Sequence, residues 1–189
     1  MHRAIRGLAL GIATACVCSA AGAVTLNFDS LNDTDVVADQ FLASGARFVG
    51  DFFVESQTFG GVIVVPSTPN YVVVGGGPPV LLFVDPAKPL RPATTTSVSI
   101  VTPQLLAPGC FDGIQLDAYD VAGAFLGTAT AQPVGTQGGP QTTTTLTLAG
   151  IHEVRFIRIE TGCTTPFDDL TYTTVVPADI FSDSFEDVP

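Results

Sequence analysis

The chain has 189 residues, 46% of them hydrophobic, and carries 18 acidic against 7 basic residues for a net charge of −11. That length suits one domain with room for a real core. That charge repels nucleic acid and anionic lipid surfaces and attracts cations.

The first stretch reads as an export leader. His2, Arg3 and Arg6 make a basic start, residues 7–15 are almost wholly apolar, and Ala21-Gly22-Ala23 supplies a small-x-small cleavage pattern. The apolar run is too short for a membrane span, and no second one follows it. Cys16 and Cys18 lie inside the leader, and Ala13-Thr14-Ala15 lacks the leucine of a lipidation motif. The expected division is a signal peptide at 1–23, a domain at 24–176 and an acidic tail at 177–189. The mature part then holds five basic against eighteen acidic residues, a net charge of −13. Its expected location is extracytoplasmic, secreted or periplasmic.

The next elements alternate with period two, the mark of strands with one buried and one wet face. Val24, Leu26 and Phe28 oppose Thr25, Asn27 and Asp29. Residues 36–42, after Asn32-Asp33-Thr34-Asp35, suit one short helix or an irregular crossover. The dense apolar runs at 63–65, 71–74 and 80–84 are expected as inner strands. Gly75-Gly76-Gly77-Pro78-Pro79 and Asp85-Pro86-Ala87-Lys88-Pro89 break the pattern between runs. Val98 and Ile100, then Ile114, Leu116 and Ala118, resume it. Asp120-Val121-Ala122-Gly123 reads as a hairpin turn with glycine in the left-handed position. Leu146 and Leu148 alternate with Thr145 and Thr147. Residues 154–159 slip phase between Phe156 and Ile157, which a bulge or burial of both faces explains. Leu170 and Tyr172 alternate with Thr171 and Thr173. Many short strands, frequent turns and no sustained helical stripe predict an all-β fold, an antiparallel β-sandwich in a single domain.

Cys110 and Cys163 remain after the leader, and an oxidising compartment joins such a pair as a disulfide. Metal binding or a nucleophilic thiol are the alternatives, and both need partners such as the lone mature histidine, His152.

Asp29, Asp168 and Asp169 are the candidate metal ligands. Calcium takes carboxylate and carbonyl oxygens. If the terminal strands pair, Asp29 and one member of Asp168-Asp169 share a cation; the other reading makes Asp168-Asp169 a turn before the last strand. Adjacent residues in an extended chain face opposite ways, so at most one of the two serves. Asn32-Asp33-Thr34-Asp35 fails the EF-hand pattern, because Val37 stands at a ligand position.

Enzyme signals are weak. No Gly-x-Ser-x-Gly elbow is present, and nothing in the sequence pairs Glu55, Glu153 or Glu160 as glycosidase carboxylates. Trp is absent and there are 3 Tyr, so composition does not point to sugar-stacking platforms.

Three stretches carry a resemblance. Asn27-Phe28-Asp29-Ser30-Leu31 followed by Gly45-Ala46-Arg47-Phe48, the run Leu116-Asp117-Ala118-Tyr119-Asp120-Val121-Ala122-Gly123, and Gly150-Ile151 through Phe156 followed by Phe167-Asp168-Asp169-Leu170 are similar to segments of PEP-CTERM-type exported bacterial proteins. The resemblance implies a galactose-binding-like jelly roll, an architecture shared with carbohydrate-binding modules, and a structural calcium at Asp29 and Asp168. The chain lacks the Pro-Glu-Pro sorting signal and its membrane segment. Ile180-Phe181-Ser182-Asp183-Ser184-Phe185-Glu186 instead resembles an acidic-aromatic tail of secreted Gram-negative proteins. The expected function is a non-enzymatic extracellular binding or matrix module with structural calcium, its partner a glycan or cell-surface polymer. The rivals are a lectin-like glycan binder, marked by an exposed aromatic platform, and a hydrolase, marked by convergent carboxylates.

Overall fold

The computed structural model describes residues 22–56, 63–105, 113–131, 140–159 and 165–178. Its strands are β1 (Ala23–Leu26), β2 (Ala46–Val49), β3 (Phe52–Ser56), β4 (Ile63–Val64), β5 (Asn70–Val74), β6 (Val80–Asp85), β7 (Lys88–Thr102), β8 (Gln104–Leu105), β9 (Ile114–Tyr119), β10 (Phe125–Ala131), β11 (Thr142–Ile151), β12 (Glu153–Arg158), β13 (Pro166–Thr173) and β14 (Val176–Pro177). One 3-10 turn, Leu42–Ser44, is the helical element among the described residues. None of their helices is long and apolar enough to cross a membrane.

The strands form an antiparallel β-sandwich, as the alternating pattern predicts. One layer runs β10-β9-β12-β6-β2. The other runs β11-β7-β13; the far edge of β13 then pairs first with β5, which leads to β3, and afterwards with β1. The β6–β7 hairpin links the layers, closing through Asp85↔Lys88. The first and the Phe167–Tyr172 strands do meet, in the register Val24↔Tyr172 through Leu26↔Leu170.

The inward residues of both layers fuse into one core. Phe52 on β3 meets Phe156 on β12 at 5.1 Å, Phe156 stacks on Phe167 at 5.2 Å, and Phe83 tilts against Tyr172 at 5.0 Å. These pairs cross the gap between the sheets, so the aromatic rings join the two layers.

Several details differ from the sequence reading. Ile63 and Val64 do not form an inner strand of the sandwich. They pair with β8 as a small ribbon over a separate cluster of Ile63, Val65 and Tyr71. Apolar content alone cannot tell a main sheet from a satellite. Residues 36–42 take the irregular course, with Val36 bridged to Phe53 ahead of the 3-10 turn. β12 holds an unbroken register with β9 from Glu153 to Arg158, so the apolar Ile157 is half-buried on the outer face rather than displaced by a bulge. Asp85-Pro86-Ala87 does turn the chain, but β7 resumes at Lys88. The Asp120 hairpin is as expected: Gly123 has φ 79, and Asp120 Oδ1 accepts the Ala122 and Ala124 N–H groups at 2.9 and 2.8 Å. Cys110, Cys163 and residues 1–21 lie outside the described residues, and so does the tail beyond Ala178.

Candidate functional site

Two places bring polar chemistry together. The first is the corner where Asp29 and Asp168 stand. A kink in β13 builds it: Asp169 has φ 45, and the pairing with β7 shifts between Asp168 and Thr171. The kink turns the Asp168 side chain wholly inward. Asp169 is half-exposed, so only one of the adjacent pair is turned inward.

The groups that meet Asp168 are hydrogen-bond donors. Its Oδ2 accepts Ser67 N–H at 3.1 Å and Ser67 O–H at 3.0 Å, and its Oδ1 accepts Asp169 N–H at 2.8 Å. Burial pushes this carboxyl up to about 6; the Asp169 and Ser67 N–H groups pull the other way. Asp29 Oδ1 accepts Asn70 N–H at 3.3 Å. The Asn70 side chain donates to Leu31 O at 2.6 Å and so ties the loop after β1. The structure thus brings Asp29 and Asp168 to the same short segment, residues 67–70. Among the described residues, no group of three His, Cys, Asp or Glu is gathered as a metal centre would need. As it stands, the donor set fits hydrogen bonding and not a preformed ion cage.

The second place is the outer face of the β10-β9-β12 layer. Register sets Phe125, Tyr119 and Glu153 in one row, and Thr128, Asp117 and Arg155 in the next. Phe125 is 57% exposed and packs edge-on against Tyr119 at 5.6 Å. The Arg155 guanidinium lies 4.0 Å from the Tyr119 ring centre and bonds Glu153 through Nε. Asp117 accepts from Gln115 at 2.9 Å. The Arg155 stack and the Glu153 bond hold the rings and polar groups in fixed positions. An exposed ring beside fixed carboxylate, amide and guanidinium groups can stack on an apolar face of a ligand while the polar groups read its hydroxyls.

Among the described residues, the opposite outer face carries a row of hydroxyls instead. Thr25, Thr171, Ser99 and Thr145 form one cross-strand row there, with Thr25 and Thr171 hydroxyls 2.9 Å apart. That row is a structural hydroxyl ladder.

Sequence reasoning missed the Phe125–Tyr119–Arg155 cluster. The Asp120 turn signal does set Tyr119 opposite Phe125. Nothing local brings Arg155 to them, because β10 and β11 intervene in the chain between β9 and β12. Glu55 accepts from Tyr71 O–H at 2.7 Å; burial and that bond raise the phenol above its ordinary pKa. Glu160 lies outside the described residues.

No protein-family profile matches the chain, and no curated protein sequence does. Among solved structures, the chain is similar to the K2 cleaved adhesin domain of Lys-gingipain, at 14% identity and TM-score 0.49, covering 80% of this chain and 97% of that one. It is similar to a family 6 carbohydrate-binding module at 12% identity and TM-score 0.34, over 67% and 88% of the two chains. CsCBM6-3 from Clostridium stercorarium, in complex with cellobiose, matches at 12% identity and TM-score 0.29, over 72% and 94%.

Proposed function

We propose that this chain is an exported, non-enzymatic binding module that takes a glycan on the outer face of the β10-β9-β12 layer. The observation that carries the reading is the exposed Phe125 ring, fixed against Tyr119 and flanked by Arg155, Glu153 and Asp117. A pyranose presents C–H groups on one face and hydroxyls at its rim, and this arrangement offers a partner for each. The carboxylates here are held by Gln115 and Arg155, which suits hydrogen bonding to hydroxyls better than proton transfer. Export rests on the leader-like residues 1–23, and the likeness to exported bacterial proteins agrees with it.

The test is a glycan array with the mature chain, followed by titration of the best ligand against Phe125→Ala. The variant should weaken binding by about tenfold, the equivalent of ~1.4 kcal/mol, while unfolding at nearly the wild-type temperature. Unchanged affinity in the variant moves the site elsewhere. An array with no bound glycan removes the glycan reading and leaves a matrix module.

A structural calcium at Asp29 and Asp168 is a separate proposal. Its support is that both carboxylates reach residues 67–70. Binding requires the ion to displace the Ser67 and Asn70 N–H groups. At a hundred times its dissociation constant, calcium should add about 2.7 kcal/mol to stability. An unfolding midpoint equal in calcium and chelator removes the ion and leaves both carboxylates as loop clamps.

A further inference from the structure

We propose that the ligand of the β10-β9-β12 face is a linear, uncharged polysaccharide that continues across β6 to β2, where Val80, Leu82 and Val49 form a second apolar foothold; this rests on the glycan reading above. Backbone pairing makes the five strands one continuous surface. Phe125 stands beside Tyr119, Tyr119 beside Glu153, Glu153 beside Leu82, and Leu82 beside Arg47. The next row runs through Thr128, Asp117, Arg155, Val80 and Val49. Both rows face outward, because side chains alternate along a strand and the residues between them, Ala118, Val154, Leu81 and Phe48, are buried.

A bulge aims the first foothold. Phe125 pairs with Tyr119 and Gly127 with Ala118, so Leu126 is the extra residue. Leu126 packs against the core, and Phe125 takes the outward place that Leu126 would hold in a regular ladder. The second foothold follows from plain alternation: Val80 and Leu82 are half-buried on β6, and Val49 on β2 is 44% exposed. Neighbouring strands lie about 4.8 Å apart, so Phe125 and Val49 are separated by about 19 Å across the sheet. One pyranose seated on Phe125 cannot span that gap, whereas a chain of several can. Between the footholds β12 supplies Glu153 and Arg155, polar groups for the hydroxyls of the middle units.

Charge selects against an acidic polymer. Both guanidiniums on these rows are already paired: Arg155 bonds Glu153, and Arg47 bonds Asp39 at 3.0 Å. Asp117, held by Gln115, adds a further carboxylate to the face. The chain as a whole has a net charge of −11. A polymer of uronates, sulfates or sialic acids would have to break those ion pairs while approaching an acidic surface. An uncharged chain leaves them intact and uses their free lone pairs and N–H groups for its hydroxyls.

Calorimetric titration of the mature chain tests this with linear β-1,4-linked glucose, xylose and mannose oligomers, each from disaccharide to hexasaccharide, and with polygalacturonate as the acidic counterpart. Affinity within at least one ladder should rise about tenfold or more with length, as the second foothold engages. Val49→Asp should lower hexasaccharide affinity to the disaccharide level while disaccharide binding, which reports an intact fold, stays unchanged. The milder Val49→Ser should act in the same direction. Phe125→Ala should weaken binding at every length. A Phe125-dependent affinity that does not grow with length, or a hexasaccharide indifferent to Val49→Asp, overturns the extended site and leaves the glycan reading standing. Tighter binding of polygalacturonate overturns the uncharged ligand. Silence of all three ladders overturns the proposal, and silence of the glycan array as well removes the reading beneath it.

Discussion

Asp29 and Asp168 hold the two ends of one short segment: Asp29 accepts the N–H of Asn70, and Asp168 accepts the N–H and O–H of Ser67. The first strand, the kinked β13 and the approach to β5 are thus locked together by two carboxylates from opposite ends of the chain. A buried carboxylate with three donors is stabilising only while those donors point at it, and it charges there at a cost.

That cost has a pH signature. The Asp168 carboxyl is raised from 3.8 to about 6 by burial. The folded state therefore binds this proton more tightly than the unfolded state, so its contribution to stability grows as pH falls from about 6 towards 4. The full effect is at most about 3 kcal/mol. Unfolding free energies of wild type and Asp168→Asn, measured from pH 7 to pH 4, should diverge in favour of wild type at the acid end. A constant difference across that range contradicts the buried-carboxyl account.

The inter-sheet aromatic cluster should dominate stability. Phe52 lies 5.1 Å from both Phe48 and Phe156 and is fully buried. Phe52→Ala should cost about 3–5 kcal/mol, read as a drop in the denaturant midpoint. A cost below about 1 kcal/mol, the range of well-tolerated core swaps, would mean that the layers do not meet through this ring.

Two glycines should respond differently to the same change. Gly45 has φ 87, and a Cβ there would come within 2.6 Å of Val175 Cγ2 and 3.1 Å of Val84 O. Gly123 has φ 79 but open space around it. Gly123→Ala should cost about 1–2 kcal/mol from the left-handed backbone alone. Gly45→Ala should cost clearly more, because Val175 and a backbone carbonyl must move. Equal midpoints for the two variants would remove the steric argument.

We propose that Cys110 and Cys163, the two cysteines that follow the leader-like stretch, form a disulfide. Thiol titration of the denatured, exported protein should find neither free. Reduction should lower stability by about 4 kcal/mol on the chain-entropy view.

The strand pattern was readable because side chains alternate along an extended backbone and burial follows that period. Val24, Leu26 and Phe28 announced their inner face, and Asp120 to Gly123 announced its turn. β2 and β3 were harder to see, since Ala46–Val49 and Phe52–Ser56 are short and closely spaced. The candidate acids Asp29 and Asp168 were legible as residues, but their partners Ser67 and Asn70 were not.

The residues by themselves determined the all-β class and the turns, because these follow from local period, turn chemistry and composition. Only the tertiary structure decided that Ser67 turns its donors to Asp168, that Arg155 stacks on Tyr119 beside an exposed Phe125, and that Ala178 reaches Pro92. Each of those contacts joins segments far apart in the chain. Their register is set by which layers bury against each other, and no local pattern encodes that.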